Sequence, residues 1–154
     1  MAFEFDRIEY RNLNAKQKEN YNFQKISAVL ADYGFITLRL SDDWLGADFI
    51  ALHTSGQSLH VQLKARLSFS EKYRSRDDLW IAFPLAGEWY LYPHNELLEK
   101  VLAVSNIGST KSWGVSGGYD IGRPGKKYMK LLEPYRLNNT GVVGIEDDNE
   151  AEFD

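Results

Sequence analysis

Apolar and polar residues alternate most clearly in the stretch Leu59–Arg66. Because successive strand side chains point to opposite faces, this alternation predicts a strand with one face on the core. The preceding stretch, Asp48–Thr54, is predicted to pair with it in a hairpin around Ser55-Gly56-Gln57. The face predicted to be apolar holds Leu59, Val61, Leu63 and Ala65, and the polar face holds His60, Gln62, Lys64 and Arg66.

The remaining pattern predicts helices on both sides of this hairpin, together with further strands. The predicted elements are a helix over Asn14–Tyr33, a strand over Phe35–Leu40, a loop over 41–46, a polar and basic loop or short helical turn over Leu67–Asp78, a second hairpin of Leu79–Pro84 and Glu88–Tyr92, a helix capped by Asn95 and continuing through Leu102, an irregular stretch over 108–125 and a final helix over Pro124–Tyr135. This order predicts an α/β or α+β domain with a mixed central sheet flanked by helices.

Charge is distributed unevenly along the 154 residues. The segment 145–154 holds six acidic residues and no basic residue, and we expect it to be a disordered acidic tail. Residues 1–144, predicted to form a single domain, hold 16 acidic and 18 basic side chains, a formal charge of +2. A body with this charge permits nucleic-acid binding without requiring it.

Several classes of protein are disfavoured by what the sequence lacks. There is no cysteine, which excludes disulfides and cysteine-based zinc sites. The first residues do not resemble a signal peptide, and no apolar run approaches membrane-spanning length, so we expect a cytoplasmic protein without a membrane partner. The glycines between 114 and 122 follow no suitable strand, so no nucleotide cofactor is predicted.

Register decides whether Asp48 joins the polar face of the hairpin. A three-residue loop that pairs Thr54 with Ser58 places Asp48 opposite Lys64 and diagonal to Gln62, with β-carbons about 5 and 8 Å apart. Carboxylate and amide oxygens are ligands for Mg²⁺ or Mn²⁺, and a neighbouring lysine can offset charge on a phosphate. The alternative is a solvated sheet face on which Asp48 and Lys64 form a cross-strand ion pair.

Asp48 and the later Gln62-Leu63-Lys64 resemble the motif of the PD-(D/E)XK nuclease superfamily. The order helix, strand, strand with the aspartate, strand with the lysine also matches, over residues 14–66. The resemblance implies a restriction-endonuclease-like core in which Asp48, Gln62 and Glu19 hold Mg²⁺ or Mn²⁺ and Lys64 acts at the phosphate. Two features depart from the family: Gln62 replaces its usual acid, and a hairpin follows the lysine strand where the family has a helix and a strand.

The resemblance implies a metal-dependent DNA endonuclease that dimerises to cut both strands, with the second, aromatic hairpin as a candidate interface. Two alternatives remain open, namely a nuclease-fold module that binds nucleic acid or a protein partner without cutting, and a partner-binding protein whose acidic tail mimics nucleic acid. Phosphate or base contacts are predicted for basic residues after the lysine strand and for one tryptophan, each with a solvated-loop or core-edge alternative. These residues are Arg66, Lys72, Arg74, Arg76 and Trp44.

Overall fold

The computed structural model describes residues 2–44 and 46–137, without the side chains of Asp43 and Trp44. The strands are β1 (Phe35–Trp44), β2 (Ala47–His53), β3 (Ser58–Leu63), β4 (Leu67–Ser70), β5 (Leu79–Leu85), β6 (Glu88–Pro93), β7 (Gly118–Ile121) and β8 (Arg136–Leu137), and the α-helices are α1 (Ala15–Ala31), α2 (His94–Val104) and α3 (Lys126–Leu132).

Six of these strands form one sheet in the order β1-β2-β3-β5-β6-β8, and β4 pairs with β7 in a second sheet. The β3–β5 pair is parallel, whereas β1–β2, β2–β3, β5–β6 and β6–β8 are antiparallel. The predicted fold class, a mixed α/β architecture with a central sheet, is therefore confirmed. None of the helices in the described part of the chain has the length and apolar character needed to cross a bilayer.

Helix α1 begins at a capping box, which explains why the predicted start near Asn14 is confirmed. The Asn14 side chain accepts the Gln17 N–H at 2.8 Å, and the Gln17 side chain accepts the Asn14 N–H at 2.9 Å. These two bonds satisfy backbone donors that a helix start otherwise leaves without partners. The helix ends at Ala31, and Gly34, with φ +85°, allows the chain to turn towards β1.

Helices cover the two faces of the central sheet and thereby create two apolar clusters. On one face, Ile26 and Leu30 of α1 pack with Phe49 and Val61 from β2 and β3. Complete burial of a side chain such as Phe49 stabilises the fold by about 1.5–3 kcal/mol. The other face carries the cluster of Ile81, Phe83, Tyr90, Tyr92, Leu97, Leu98, Val101 and Leu132, contributed by β5, β6, α2 and α3.

Two predicted loops contain strands instead. The loop predicted over 41–46 is wrong, because β1 continues to Trp44, which pairs with Ala47 after a register irregularity. The polar stretch Leu67–Asp78 begins with β4 and a 3-10 turn over Glu71–Tyr73, and β4 pairs with β7 from the stretch predicted to be irregular. This pairing joins segments that are far apart in sequence, so local alternation does not report it.

The two later helices differ from their predictions in detail. Helix α2 begins at His94 directly after Pro93, and Asn95 is not its cap. The Asn95 amide instead donates to the carbonyl oxygens of Arg74 and Arg76, each at 3.1 Å, and holds the basic loop against α2. The predicted final helix is present as α3, shorter than expected, and a 3-10 turn continues it through Tyr135.

Tyr92 and His94 fix β4 to the central sheet. The buried Tyr92 hydroxyl donates to the Ser68 carbonyl at 2.6 Å and accepts the Ser68 N–H at 3.3 Å. His94 Nε2 accepts the Ser70 N–H at 3.0 Å, which identifies the neutral ring as the bonded form. Burial raises the pKa of the Tyr92 hydroxyl and lowers the pKa of His94. The chain that directly follows Lys64 is thus held in place.

Replacing Tyr92 with Phe should lower the free energy of unfolding by about 1–3 kcal/mol, because the buried Ser68 N–H and C=O each lose a partner. Urea denaturation followed by circular dichroism measures the change. The control is Tyr128→Phe, where the half-buried hydroxyl makes no hydrogen bond within the described residues, and a change within about 0.5 kcal/mol is expected. Equal losses in the two variants would contradict the anchoring role.

Acid should destabilise the fold through His94. Its pKa is lowered in the folded protein by burial, so the unfolded chain binds the proton more readily. The stabilising contribution of neutral His94 is therefore complete above the ordinary histidine pKa and is lost as pH falls through the folded value. Urea denaturation at pH 7.5 and pH 5.0 should show a smaller loss of stability for His94→Gln than for the wild type. A pH dependence that His94→Gln leaves unchanged would refute this assignment.

Candidate active site

The β2–β3 hairpin has the predicted three-residue loop, but the loop lies one residue earlier. The His53 N–H donates to the Gln57 carbonyl at 2.8 Å, so the loop is residues 54–56. The last loop position needs a left-handed backbone, and Gly56, with φ +93°, is the residue that adopts it at low cost. The predicted pairing of Thr54 with Ser58 is therefore wrong.

This register places Asp48 opposite Gln62 and not opposite Lys64. The paired residues of β2 and β3 run from Leu52–Ser58 to Phe49–Val61, and continuing this register by one residue gives Asp48–Gln62. Because the loop keeps its length, Asp48 still belongs to the same face of the hairpin as Gln62. The correction brings the two predicted metal ligands closer together along the strands than the sequence suggested.

The Asp48 carboxylate lies where β2 and β3 separate. Its Oδ2 accepts the Leu63 N–H at 2.7 Å, a bond that a backbone carbonyl of β2 would make if the ladder continued. The next N–H, that of Lys64, donates to the Ala82 carbonyl on β5 at 2.9 Å. The carboxylate is thus directed from β2 towards the end of β3.

Gln62 is buried and carries an oxygen without a partner. The residue is 9% exposed, and its Oε1 makes no hydrogen bond within the described residues. A buried acceptor left in this way costs about 1–3 kcal/mol. Asp48, half-buried on the neighbouring strand, is the carboxylate that the strand register brings opposite it. An oxygen-binding cation is a group that would satisfy Gln62 Oε1.

Lys64, two residues after Gln62, is positioned by an aromatic ring. Its Nζ lies 5.9 Å from the centre of the Tyr73 ring. Tyr73 is buried and also fixes the β1–β2 turn, because a β-carbon at Gly46 would stand 3.0 Å from Tyr73 Cε1. Gly46 has φ +88°, so both its conformation and its close approach require glycine. One ring therefore positions the lysine and the start of β2.

Glu19 lies near Lys64 but is engaged elsewhere. Both residues line a cleft between the start of α1 and the end of β3. The Glu19 carboxylate accepts from Arg39 at 2.7 Å and lies 3.6 Å from Lys16 Nζ. The metal-ligand role predicted for Glu19 would require it to exchange the Arg39 contact, and that role stays a prediction.

Among the basic residues predicted to contact nucleic acid, some form ion pairs within the protein and others do not. Arg74 forms ion pairs with Glu99 at 3.0 Å and Glu71 at 3.6 Å. Arg66 and Lys72 are exposed, and Lys72 Nζ lies 5.0 Å from the centre of the Tyr73 ring. The role predicted for Trp44 concerns a side chain outside the described part of the structure.

Arg76 is largely enclosed, with a side chain 16% exposed. It donates to Asp78 at 2.9 Å and contacts His60 Nδ1 at 3.4 Å. This hydrogen bond from Arg76 lowers the pKa of the Asp78 carboxyl. His60, two residues before Gln62, is therefore part of a charged cluster at the side of the site, and the direct contact of Arg76 with phosphate stays a prediction.

Several residues that surround the candidate ligands were not predicted from the sequence. Helical periodicity from Glu19 would have pointed to Asn22, three residues later on the same side of α1. Arg39 and Tyr73 gave no such signal, because their contacts depend on tertiary packing. Among the described residues, no group of three or more His, Cys, Asp or Glu side chains is arranged to hold a metal ion. The Asp48–Gln62 pair instead combines one carboxylate with one amide.

The aromatic hairpin predicted as a dimer interface lies inside the sheet as β5 and β6. Trp89 is buried in the cluster beneath α1, and Trp80 packs against the same cluster. Little of Trp89 therefore remains for contact with a second chain. Dimer formation itself stays a prediction.

No known protein-family model matches the chain, and no curated protein sequence matches it. The fold is similar to that of the bacterial homing endonuclease I-Ssp6803I, with 14% identity, a TM-score of 0.45, and coverage of 80% of this chain and 87% of that one. It is also similar to Hjc, a Holliday junction resolvase from the archaeal hyperthermophile Archaeoglobus fulgidus, with 17% identity, a TM-score of 0.37, and coverage of 48% and 76%. These are distant likenesses in chain path, below the level at which a function can be inferred.

Proposed function

We propose that this protein hydrolyses phosphodiester bonds in DNA with the help of Mg²⁺ or Mn²⁺. The observation that carries the proposal is the buried Gln62 Oε1, which lacks a hydrogen-bond partner in the described part of the chain. It supports a cation site because the strand register sets the Asp48 carboxylate beside it, and Lys64 follows two residues later.

The donor set fits a hard divalent cation. Asp48 would supply a carboxylate oxygen and Gln62 an amide oxygen, both of the type that Mg²⁺ and Mn²⁺ prefer. When bound, such an ion polarises the phosphate and makes a coordinated water more acidic. A single negative charge from the protein predicts weaker binding than a pair of acids would give, and Glu19 would add the missing charge only by leaving Arg39.

The side chains have distinct tasks in this proposal. The Leu63 N–H fixes one oxygen of Asp48 and so restricts the direction of the carboxylate. The Lys64 ammonium, held over the Tyr73 ring, offsets the negative charge that grows on the phosphate oxygens during attack by water. Burial of Gln62 keeps bulk water from this side of the site, which strengthens the electrostatic contacts there.

Two further parts of the proposal concern assembly and an alternative. A single site cuts one strand, so cleavage of a duplex would use two copies of the chain. The second candidate function is DNA binding without cleavage. It is favoured by the neutral amide at Gln62 and by the Arg39 contact that occupies Glu19.

Metal-dependent nicking of supercoiled plasmid tests the proposal. We expect nicking with Mn²⁺ and none with EDTA, and a fall in rate of about 100-fold or more in both Asp48→Ala and Lys64→Ala. Asp32→Asn, which removes an exposed acid at the end of α1, should keep the wild-type rate. Identical traces for all four proteins would overturn hydrolysis by this site. Retarded migration of the plasmid in a gel without nicking would favour DNA binding without cleavage.

Gln62→Glu tests the role of the amide directly. Restoring the second acid should lower the Mn²⁺ concentration that gives the half-maximal rate by about tenfold, equivalent to about 1.4 kcal/mol in metal binding. Gln62→Met removes the amide oxygen, so its nicking rate should no longer rise with Mn²⁺ concentration. An unchanged metal requirement in Gln62→Glu would argue against direct contact between Gln62 and the ion.

Unfolding in the absence of DNA gives a second measure of the metal site. Mn²⁺ at about 100 times its dissociation constant should raise the free energy of unfolding by about 2.7 kcal/mol, since the unfolded chain lacks the site. The effect should vanish in Asp48→Asn. Without metal, Gln62→Met should be at least as stable as the wild type, because it removes a buried acceptor that has no partner. A less stable metal-free Gln62→Met protein would contradict the assigned cost of the Gln62 oxygen.

A further inference from the structure

A cleft of about 280 Å³ lies between the start of α1 and the end of β3, and Glu19 and Lys64 of the candidate site are among the residues that line it. Its volume is near the lower end of the range for small-ligand sites, which suits one nucleotide unit better than a larger molecule. The residues of the cleft that matter for its charge and shape are Tyr10, Lys18, Glu19, Asn22, Leu63 and Lys64.

The cleft carries positive charge that the protein does not neutralise. Lys18 and Lys64 have no carboxylate within 4.0 Å among the described residues, in contrast to Arg74 and Arg76, whose charges are paired. Glu19 is the acidic residue that lines the cleft, and it already forms ion pairs with Arg39 and Lys16. These two basic residues do not line the cleft. Lys18 and Lys64 therefore both line this space, and neither ammonium group has a fixed counter-ion among the described residues.

Aromatic rings hold both ammonium groups without cancelling their charge. Lys18 Nζ lies 5.4 Å from the centre of the Tyr10 ring, as Lys64 Nζ lies 5.9 Å from the centre of Tyr73. Tyr10 is fixed in turn, because its hydroxyl accepts from the side-chain amide of Asn22 at 2.9 Å and Asn22 is 9% exposed. A cation–π contact positions a lysine and leaves its ammonium able to bind an anion.

We propose that this cleft binds a second phosphate of the nucleic-acid backbone, adjacent to the one that is cut. The inference rests on the proposed function and adds to it a substrate contact, for which Lys18 is the binding residue and Lys64 forms the wall shared with the cleavage site. A strand that crosses the end of β3 meets both positions. Arg74 and Arg76 are less suited to this role because they do not line the cleft and their charges are paired with acids.

The salt dependence of DNA binding tests the proposal without any need for cleavage. The dissociation constant of a 20-base-pair duplex is measured in EDTA between 50 and 300 mM NaCl by fluorescence anisotropy. Each phosphate contact adds about 0.9 to the slope of log affinity against log salt. Lys18→Gln should lower the slope by about 0.9, whereas Lys18→Arg should keep it.

Lys25→Gln is the matched control, since it makes the same charge change on the same helix. Lys25 is exposed, its Nζ lies 5.2 Å from the centre of the Tyr21 ring, and it does not line the cleft. Its slope should stay near that of the wild type. Ala15→Leu fills the cleft without a charge change and should weaken binding several-fold at 50 mM NaCl, with circular dichroism confirming the fold.

The results for the variants separate the subsite from the proposed hydrolysis. Equal slopes for Lys18→Gln and Lys25→Gln, or unweakened binding by Ala15→Leu, would overturn the phosphate subsite even if plasmid is nicked. A smaller slope for Lys18→Gln alone would support the subsite even if no nicking occurs. Failure of the wild type to bind the duplex at 50 mM NaCl would overturn the subsite and the DNA-directed function together.

Discussion

The hydrogen bond from the Leu63 N–H to the Asp48 carboxylate determines where the central sheet opens. Up to Val61, β3 pairs with β2 through backbone groups, and beyond it a side chain takes over that task. The chain can then leave β2 while Lys64 remains bonded to β5. The Asp48 carboxylate that completes the sheet thereby lies at the point where β2 and β3 separate.

This arrangement combines one satisfied and one unsatisfied oxygen in a small space. Asp48 satisfies a buried backbone donor, whereas Gln62 Oε1 is buried without a donor in the described region. A side chain that only served packing would avoid this cost, since an apolar residue of similar volume fits a buried position without it. Local violations of this kind concentrate at functional sites, where binding of a ligand compensates them.

The elements that are set by neighbouring residues could be predicted from the sequence. Helix α1 and the parity of the β2–β3 hairpin follow from local spacing, so Asp48 and Gln62 were placed on one face. The predicted register was wrong by one residue on each strand, because the loop was expected to be centred on Gly56. In the structure Gly56 is the last residue of the loop, where its left-handed backbone is required. Backbone requirements at one position thus decided which side chains stand opposite each other.

Contacts between distant segments could not be predicted in the same way. The Arg39–Glu19 ion pair joins β1 to α1, and it changes Glu19 from a candidate ligand into an engaged carboxylate. The ring of Tyr73 contacts both Gly46 and Lys64 from a stretch predicted to be a polar loop or short helical turn. Such contacts depend on how elements pack, and neither alternation nor helical spacing encodes them.

The pairing of β4 with β7 sets the order in which the protein can mature during synthesis. The β2–β3 hairpin is local and can form as soon as it leaves the ribosome, whereas Leu67 of β4 waits for Ile121 of β7. Tyr73, whose ring lies 5.9 Å from Lys64 Nζ, follows β4 directly in the chain. The residues that close the second sheet are therefore synthesised well after the β2–β3 hairpin, so this hairpin can form before β4 has its partner strand.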